Sequence, residues 1–483
     1  MLYALVLVNL LAGAAMFAIP ERQRLLAKLA ALAAGTFSLA ISIATFALYD
    51  RAQGGFQFED RFDWLPSIGI SFHVGVDGIS APMVLLTGVV IFTGVLISWN
   101  IETRTREFFG LLFMLVSGVF GVFVSMDLFF LFFFYEVAVL PMYLLIAVWG
   151  STRKEYAAMK LVMYLLGGSI LVWTALLALY HAAGVRSFDL LDMQAAGFDP
   201  SLARVLFPIL FVGFGVLAGL WPFHTWSPDG HVAAPTAVSM LHAGVLMKLG
   251  AYGIIRLGVQ LLPSGARDWL WFFLIIAAVN VLYGAFSAMA QRDLKFVVGY
   301  SSVSHMGYVL MGIGSMTAIG LNGAVLQMFS HGIMTALLFA LVGVIYDRAH
   351  VREIAAFGGL AKVMPRFAVL FMIAGLTSLG LPGLSGFAAE FLVFAGTFQT
   401  NPWIAALGIA GVAVTAAYIL RMMARMFFGP LNERWRGLKD MNRLETTAGV
   451  CLVALLVLFG VYPPLMVGQI DVSVAPLIAA LPK

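Results

Sequence analysis

Long apolar runs broken by short polar stretches set the plan of this chain. They fall near residues 2–19, 27–49, 77–98, 108–126, 128–149, 160–182, 204–224, 235–262, 267–290, 297–318, 320–345, 365–397, 403–428 and 447–468. A run of about 18 or more apolar residues is long enough to cross a bilayer as a helix. The spacing therefore predicts an all-α polytopic membrane protein of about fourteen spans. In the first long connection, residues 50–76, the alternation in GISFHVGV predicts a short hairpin. No connection has room for a nucleotide-binding fold, and no glycine fingerprint follows a strand.

Two runs are interrupted. In the first, Trp221 to Pro235 forms a polar, proline-punctuated break holding His224, Asp229 and His231. In the second, TSLGLPGLSGFAAEF places Gly380, Pro382, Gly383 and Gly386 where a regular helical ladder cannot continue. A broken helix is tolerated inside a membrane only where protein or water takes up its freed backbone groups. The two breaks lie far apart in matching contexts, which suggests two copies of a five-span unit, spans four to eight and nine to thirteen. An odd number of spans forces consecutive copies into opposite orientations. The expected division is residues 1–107, 108–262, 263–428 and 429–483.

Composition sharpens this picture. Of 483 residues 62% are hydrophobic and only 11% charged, and the mean hydropathy is +0.98. A soluble fold of this size could not bury so much apolar surface. The first span lacks a basic leader and a small-residue cleavage site, so it reads as a retained helix. The single cysteine, Cys451, excludes an intrachain disulfide framework and a cysteine-ligated iron–sulfur cluster. The net charge of +4 is a topology signal. Most basic residues fall on alternate connections, among them Arg22, Arg104, Arg153, Lys154, Arg292, Lys295, Arg348, Arg352 and Arg434. The positive-inside rule puts those connections in the cytoplasm and both termini outside.

Ionisable groups inside apolar runs are costly and by default mark an ion pathway. Glu136 sits in FLFFFYEVAVLPMYLL and Lys248 in the middle of GVLMKLGAYGIIR. An ammonium at that depth costs about 2.5–3.5 kcal/mol on insertion scales. Each residue has a bland alternative. Glu136 could be a neutral acid bonded to a neighbouring helix, and Lys248 a static ion pair with Glu136 or another acid. Glu390, just past the second break, reads as an exit or hand-over carboxylate, or as a cap for the broken helix. His242, His305 and His331 lie in separate apolar runs, where a histidine relays protons or is simply a hydrogen-bonded core residue. Their spacing does not argue for a metal, and no cofactor is expected on this chain. Lys160 lies one to two turns into its span, deep for a topology lysine. Lys295 reads as a surface-reaching side chain at a span start, and Arg421, inside the thirteenth span, as a cap or a side chain reaching the cytoplasmic face.

Several motifs together resemble the antiporter-like subunits of respiratory complex I. They are HVGVDGIS (73–80), FFYEVAVLPMYLLIAVWG (133–150), WPFHTWSPDGHVAAPTA (221–237), GVLMKLGAYGIIR (244–256), DLKFVVGYSSVSHMGYVL (293–310) and GLPGLSGFAAEF (380–391). The resemblance covers nearly the whole chain and is nearest to the M-type subunits. A long C-terminal extension is absent, and Glu390 stands where the L and N types carry lysine. It implies fourteen helices with two inverted five-helix repeats and broken seventh and twelfth helices. It also implies a bacterial cytoplasmic membrane, antiporter-like neighbours at both ends, and quinone reduction elsewhere in the assembly. The implied proton route runs through Glu136, a lysine in the seventh helix, Lys248 and Glu390. Here the chain departs from the pattern, because Leu217 stands where that lysine is expected. Glu136 loses its cationic partner, so the route is rewired toward Lys248, or the subunit is a non-pumping spacer. A cation/proton antiporter subunit, and a membrane arm of a related hydrogenase or ferredoxin-linked complex, are the competing readings.

Overall fold

Each expected apolar run carries helix in the computed structural model, which describes residues 1–481. Twelve helical segments among the described residues are long and apolar enough to cross a bilayer. In chain order the elements are α1 Leu2–Ala18, α2 Arg24–Leu48, β1 Gln57–Leu65, β2 Ile70–Val76, α3 Ser80–Ile97, α4 Thr105–Val124, α5 Leu128–Trp149 and α6 Lys154–Ala182. Next come α7 Leu190–Ala196, α8 Pro200–Ala218, α9 Trp226–Ala233, α10 Thr236–Leu241, α11 Met247–Gly253, α12 Pro263–Ala290, α13 Leu294–Gly314 and α14 Ala318–Ala349. The chain closes with α15 Pro365–Ser378, α16 Ser385–Thr400, α17 Pro402–Phe427, α18 Arg443–Val461 and α19 Pro464–Ala479.

Both predicted breaks are present, and both are sharper than the apolar runs suggested. The run at 204–224 stops being helical at Ala218, where Gly219 takes a positive φ of 79°. The run at 365–397 is two short helices, α15 and α16, separated by residues 379–384. Helix α19 was not expected. Its proline and polar positions, Pro464, Gln469, Asp471 and Pro476, kept it below the length and hydropathy of a span. Residues 482–483 of the last expected segment lie outside the described residues.

The hairpin forms as predicted, with β1 and β2 antiparallel. It is clamped to the helices by two carboxylates at helix starts. Asp127 accepts from the amides of Phe129 and Phe130 at the start of α5, and also from Ser71 of β2. Asp189 caps α7 and meets His73 Nδ1 of β2 at 2.5 Å, while Glu59 of β1 reaches His73 Nε2 at 3.3 Å. The hydrogen bond to Asp189 raises the His73 pKa against the opposing effect of burial. Burial would raise the Asp189 carboxyl, but His73 and the helix amides outweigh it and hold it below its usual range. Burial pushes Asp127 up to about 6 despite its amide donors.

These shifts make the clamp pH-dependent. The raised His73 contributes stability below about pH 6.5 that is lost as pH rises through its folded pKa. Asp127 acts in the same direction at lower pH, its contribution being full below about pH 3.9 and lost as pH rises through about 6. The lowered Asp189 contributes above about pH 3.9. The hairpin is therefore held most firmly at about pH 4 to 5 and loosens as pH rises, first through Asp127 and then through His73. Hydrogen exchange of residues 57–76 at pH 5 and 8, corrected for intrinsic rates, should show more opening at pH 8. His73→Phe should remove the His73 share of that difference. Equal protection of the parent protein at both pH values would refute the clamp.

The same backbone motif occurs at both faces of the bundle. At the hairpin face Leu128 N donates to Phe188 O and Leu190 N to Met126 O, pairing the start of α5 with the chain after α6. At the opposite face Leu294 N donates to Arg352 O and Ile354 N to Arg292 O, pairing the start of α13 with the chain after α14. Asp127 and Asp293 cap those two starts alike.

Helix α14 and the segment Thr236–Gln260 are buried throughout and cross at the centre. A β-carbon on Gly332 would lie 2.6 Å from Gly244 O, and one on Gly244 would lie 3.1 Å from Gly332 O. Only glycine lets the two backbones approach this closely. That contact sets the segment carrying Lys248 against the helix carrying His331.

Candidate functional site

Two π-helical turns, His242–Leu246 and Ile254–Gln260, flank α11. A π-turn shifts the carbonyls of the usual ladder and is frequent at functional sites. Here Lys248, fully buried, donates from Nζ to the carbonyl of Ala243 inside the first π-turn. The same amine lies 2.8 Å from Nδ1 of His331 on α14. Among the described residues no carboxylate forms an ion pair with Lys248. The expected alternative, a static pair with Glu136 or another acid, is therefore not what the structure contains. A lysine whose partners are a carbonyl and an imidazole nitrogen can pass a proton to that nitrogen, which a carboxylate-locked ammonium does less readily.

From His331 the row continues toward the second break. Its ring stacks on that of His305 of α13 with centroids 5.2 Å apart. The Nε2 atom of His305 lies 3.0 Å from Ser378 Oγ, at the last residue of α15. Its Nδ1 faces two groups, the Gln327 side-chain amide at 3.2 Å and Glu390 Oε1 at 3.4 Å. A neutral His305 accepts from Gln327 at Nδ1, whereas a protonated one donates there to Glu390. The break brings Glu390 to this place. Gly380 has φ +72°, and a β-carbon there would sit 2.8 Å from Glu390 Oε2.

On the other side of Lys248 the first break supplies further groups. The rings of His231 of α9 and His242 have centroids 3.9 Å apart, and Trp226 stacks on His242 at 5.1 Å. Ser227 Oγ lies 3.1 Å from His231 Nε2. Two residues before His231, Asp229 pairs with Lys160 of α6 at 2.8 Å. Lys160 is thus an ion-pair partner at the outer end of the row and not a free surface charge. Lys295 is corrected too. It is buried and donates to Ala234 O at 2.7 Å, because α13 packs against the end of α9.

Glu136 stands apart from this row. The Ser169 hydroxyl of α6 donates to it, and among the described residues no cation pairs with it. Leu217 is buried in the apolar packing of α8. The structure brings together Lys160, His242, Lys248, His305, His331 and Glu390, and leaves Glu136 beside them.

Several buried side-chain atoms along the row have no protein partner. They include both ring nitrogens of His242, His231 Nδ1, His331 Nε2 and Gln327 Oε1. In a dry core each such atom costs about 1–3 kcal/mol. Their concentration along one axis is the chemistry of a water-bearing path, since buried water typically satisfies such groups. Among the described residues no group of three or more histidine, cysteine or carboxylate side chains is arranged to hold a metal.

Sequence reasoning did not single out Asp229 and His231 as site residues, though both were visible in the break. Ser378, Gln327 and Ser227 were missed because uncharged polar residues are common in buried helices and carry no signal of their own.

A sequence profile described as NADH:quinone oxidoreductase/Mrp antiporter, TM, matches residues 125–416. The subunit M of an NADH-quinone oxidoreductase from Rhodobacter capsulatus is 40% identical over 464 residues, covering 94% of this chain and 90% of the relative. A chain of respiratory complex I from Thermus thermophilus superposes with a TM-score of 0.91 at 29% identity, covering 99% of this chain and all of that one. A chain of the Mrp complex from Dietzia superposes with a TM-score of 0.90 at 21% identity and covers 99% of this chain and 97% of its own, a likeness of fold.

Proposed function

Because the chain belongs to the NADH:quinone oxidoreductase/Mrp antiporter transmembrane family, we propose that it is a proton-translocating membrane subunit of a complex I-type NADH–quinone oxidoreductase. Antiporter-like subunits would flank it, both termini would face outward, and the redox chemistry would take place on other chains. Residues 108–262 and 263–428 are read as its two oppositely oriented copies.

The observation that carries this reading is the buried row centred on Lys248, with its unpartnered histidine nitrogens. The proposed path begins at the Lys160–Asp229 pair. It passes His231 and His242 to Lys248, then His331 and His305, and ends at Glu390. Lys248 gives its proton to His331 Nδ1, and His331 releases one from Nε2. At His305, arrival of a proton turns Nδ1 from an acceptor of Gln327 into a donor to Glu390. A signal from the rest of the assembly drives the cycle by shifting which of these coupled groups is charged. Leu217 is accommodated because the path does not depend on Glu136, which serves as a side group on Ser169.

The intact complex in proteoliposomes, driven by NADH and read with a pH-sensitive dye, tests this. His331→Leu should slow proton movement strongly, and Glu136→Gln should leave most of it. Equal loss in Glu136→Gln would return that carboxylate to the route. Full pumping by both variants would mean that the subunit is a spacer. NADH-independent sodium efflux would assign it to the antiporter branch of the family.

A further inference from the structure

A cavity of about 310 Å³ opens between α12, α13 and α17 at the face opposite the hairpin. Three arginines line it, Arg292, Arg421 and Arg425, with one carboxylate, Glu353. Arg425 stands two residues before the end of α17, and Arg292 lies in the connection between α12 and α13. Arg421 takes the capping role of its two expected ones, since it donates to Met289 O in the last turn of α12. Among the described residues no carboxylate forms an ion pair with any of the three, whereas Arg352, beside Glu353 in the chain, is held by Asp293. Three positive charges against one negative leave the mouth in clear excess of positive charge.

The rest of the wall is apolar, formed by Ala288, Val297, Ile354 and Met422. Tyr418 closes the inner end. It is 2% exposed, and its hydroxyl is turned into the protein, donating to Ser301 Oγ at 2.8 Å. The cavity is therefore blind and basic. Beside it α12 and α17 carry Phe286 and Leu420, which are 52% and 50% exposed. Such surfaces meet acyl chains in a bilayer.

An arginine that only sets topology needs water and no other partner. Three that share one blind cavity repel each other there, and an anion relieves that repulsion. Guanidinium N–H groups match phosphate oxygens in pairs, and basic pockets between spanning helices hold lipid headgroups in this way. We infer that this cavity is a binding site for the phosphate of an anionic phospholipid whose acyl chains lie against α12 and α17. The apolar wall and the exposed flank beside it select a lipid over a free anion. The site is separate from the buried row and stands whether or not this subunit moves protons.

The test uses the intact complex in phosphatidylcholine nanodiscs that contain a low fraction of phosphatidylglycerol with a photoreactive diazirine in one acyl chain. Cross-linked peptides are then mapped by mass spectrometry. Labels should fall on α12 and α17 near Phe286 and Leu420, and a diazirine phosphatidylcholine should label them far less. Arg292→Gln combined with Arg425→Gln keeps the Arg421 cap and should weaken that labelling roughly 30-fold, about fivefold for each charge. Glu353→Gln should strengthen it, which a packing role for these residues does not predict. The inference is overturned if both lipids label alike, or if the double arginine variant is labelled as the parent is. It is also overturned if neither lipid labels these helices while inorganic phosphate protects the parent complex, and not the double variant, against heat. That result would assign the mouth to a free anion.

Discussion

Replacing Lys248 with methionine is expected to slow NADH-driven proton movement on the order of 10²-fold, the scale of losing one acid–base group from a transfer step. The complex should still assemble. Methionine fills much the same volume without the amine, so it removes the cost of a buried ammonium, about 2.5–3.5 kcal/mol. What it orphans is the Ala243 carbonyl and His331 Nδ1, at about 1–3 kcal/mol each. These opposing effects are similar in size, so stability should change little while the transfer step is lost. Lys248→Arg separates chemistry from charge. A guanidinium keeps the positive charge but does not give up its proton at any accessible pH. It should therefore fail as methionine does. Pumping restored by arginine would show that Lys248 supplies only a field.

Lys248 and Glu390 were legible from sequence because a charge inside an apolar run has few innocent explanations. The three helix histidines were legible for a related reason, and the structure draws all three into the row. Glu136 satisfied the same rule and yet lies beside the row, facing Ser169. Run length gives the depth of a residue, and it does not give which neighbour its helix face will meet. Lys295 shows the converse error. Its place at a span start looked like a surface anchor, but packing of α13 on the end of α9 buries it. The two π-turns around α11 left no trace in the sequence, because the apolar run continues through both of them. The breaks were legible as Pro and Gly clusters. Their use, which is to aim Asp229 and His231 from one and Ser378 and Glu390 from the other, depends on tertiary contact.

Arg256→Leu is expected to destabilise the chain by about 3–5 kcal/mol, the cost of stranding one member of a buried ion pair. Arg256 sits in the second π-turn, with a side chain 4% exposed, and its guanidinium donates to Asp77, which is 5% exposed. Asp77 Oδ1 also accepts from the amides of Ile79 and Ser80, so the same carboxylate fixes the start of α3. Without the guanidinium those two amides remain, and they do not neutralise a carboxylate. The arginine is also held by the rings of Tyr252 and Phe56, 5.1 and 5.2 Å away, so its loss leaves a packing gap as well. Thermal unfolding of the purified complex, followed through this subunit, measures the effect. Asp77→Asn combined with Arg256→Leu should recover much of the loss, because the stranded charge is gone. If the double variant is as unstable as the single one, the loss comes from packing and not from charge. The distinction bears on the buried row because Arg256 and Lys248 share one buried segment. If charge is the cause, the Asp77–Arg256 pair is the fixed end against which the Lys248 amine is positioned. The single variant should then shift the Lys248–His331 contact before the fold itself is lost.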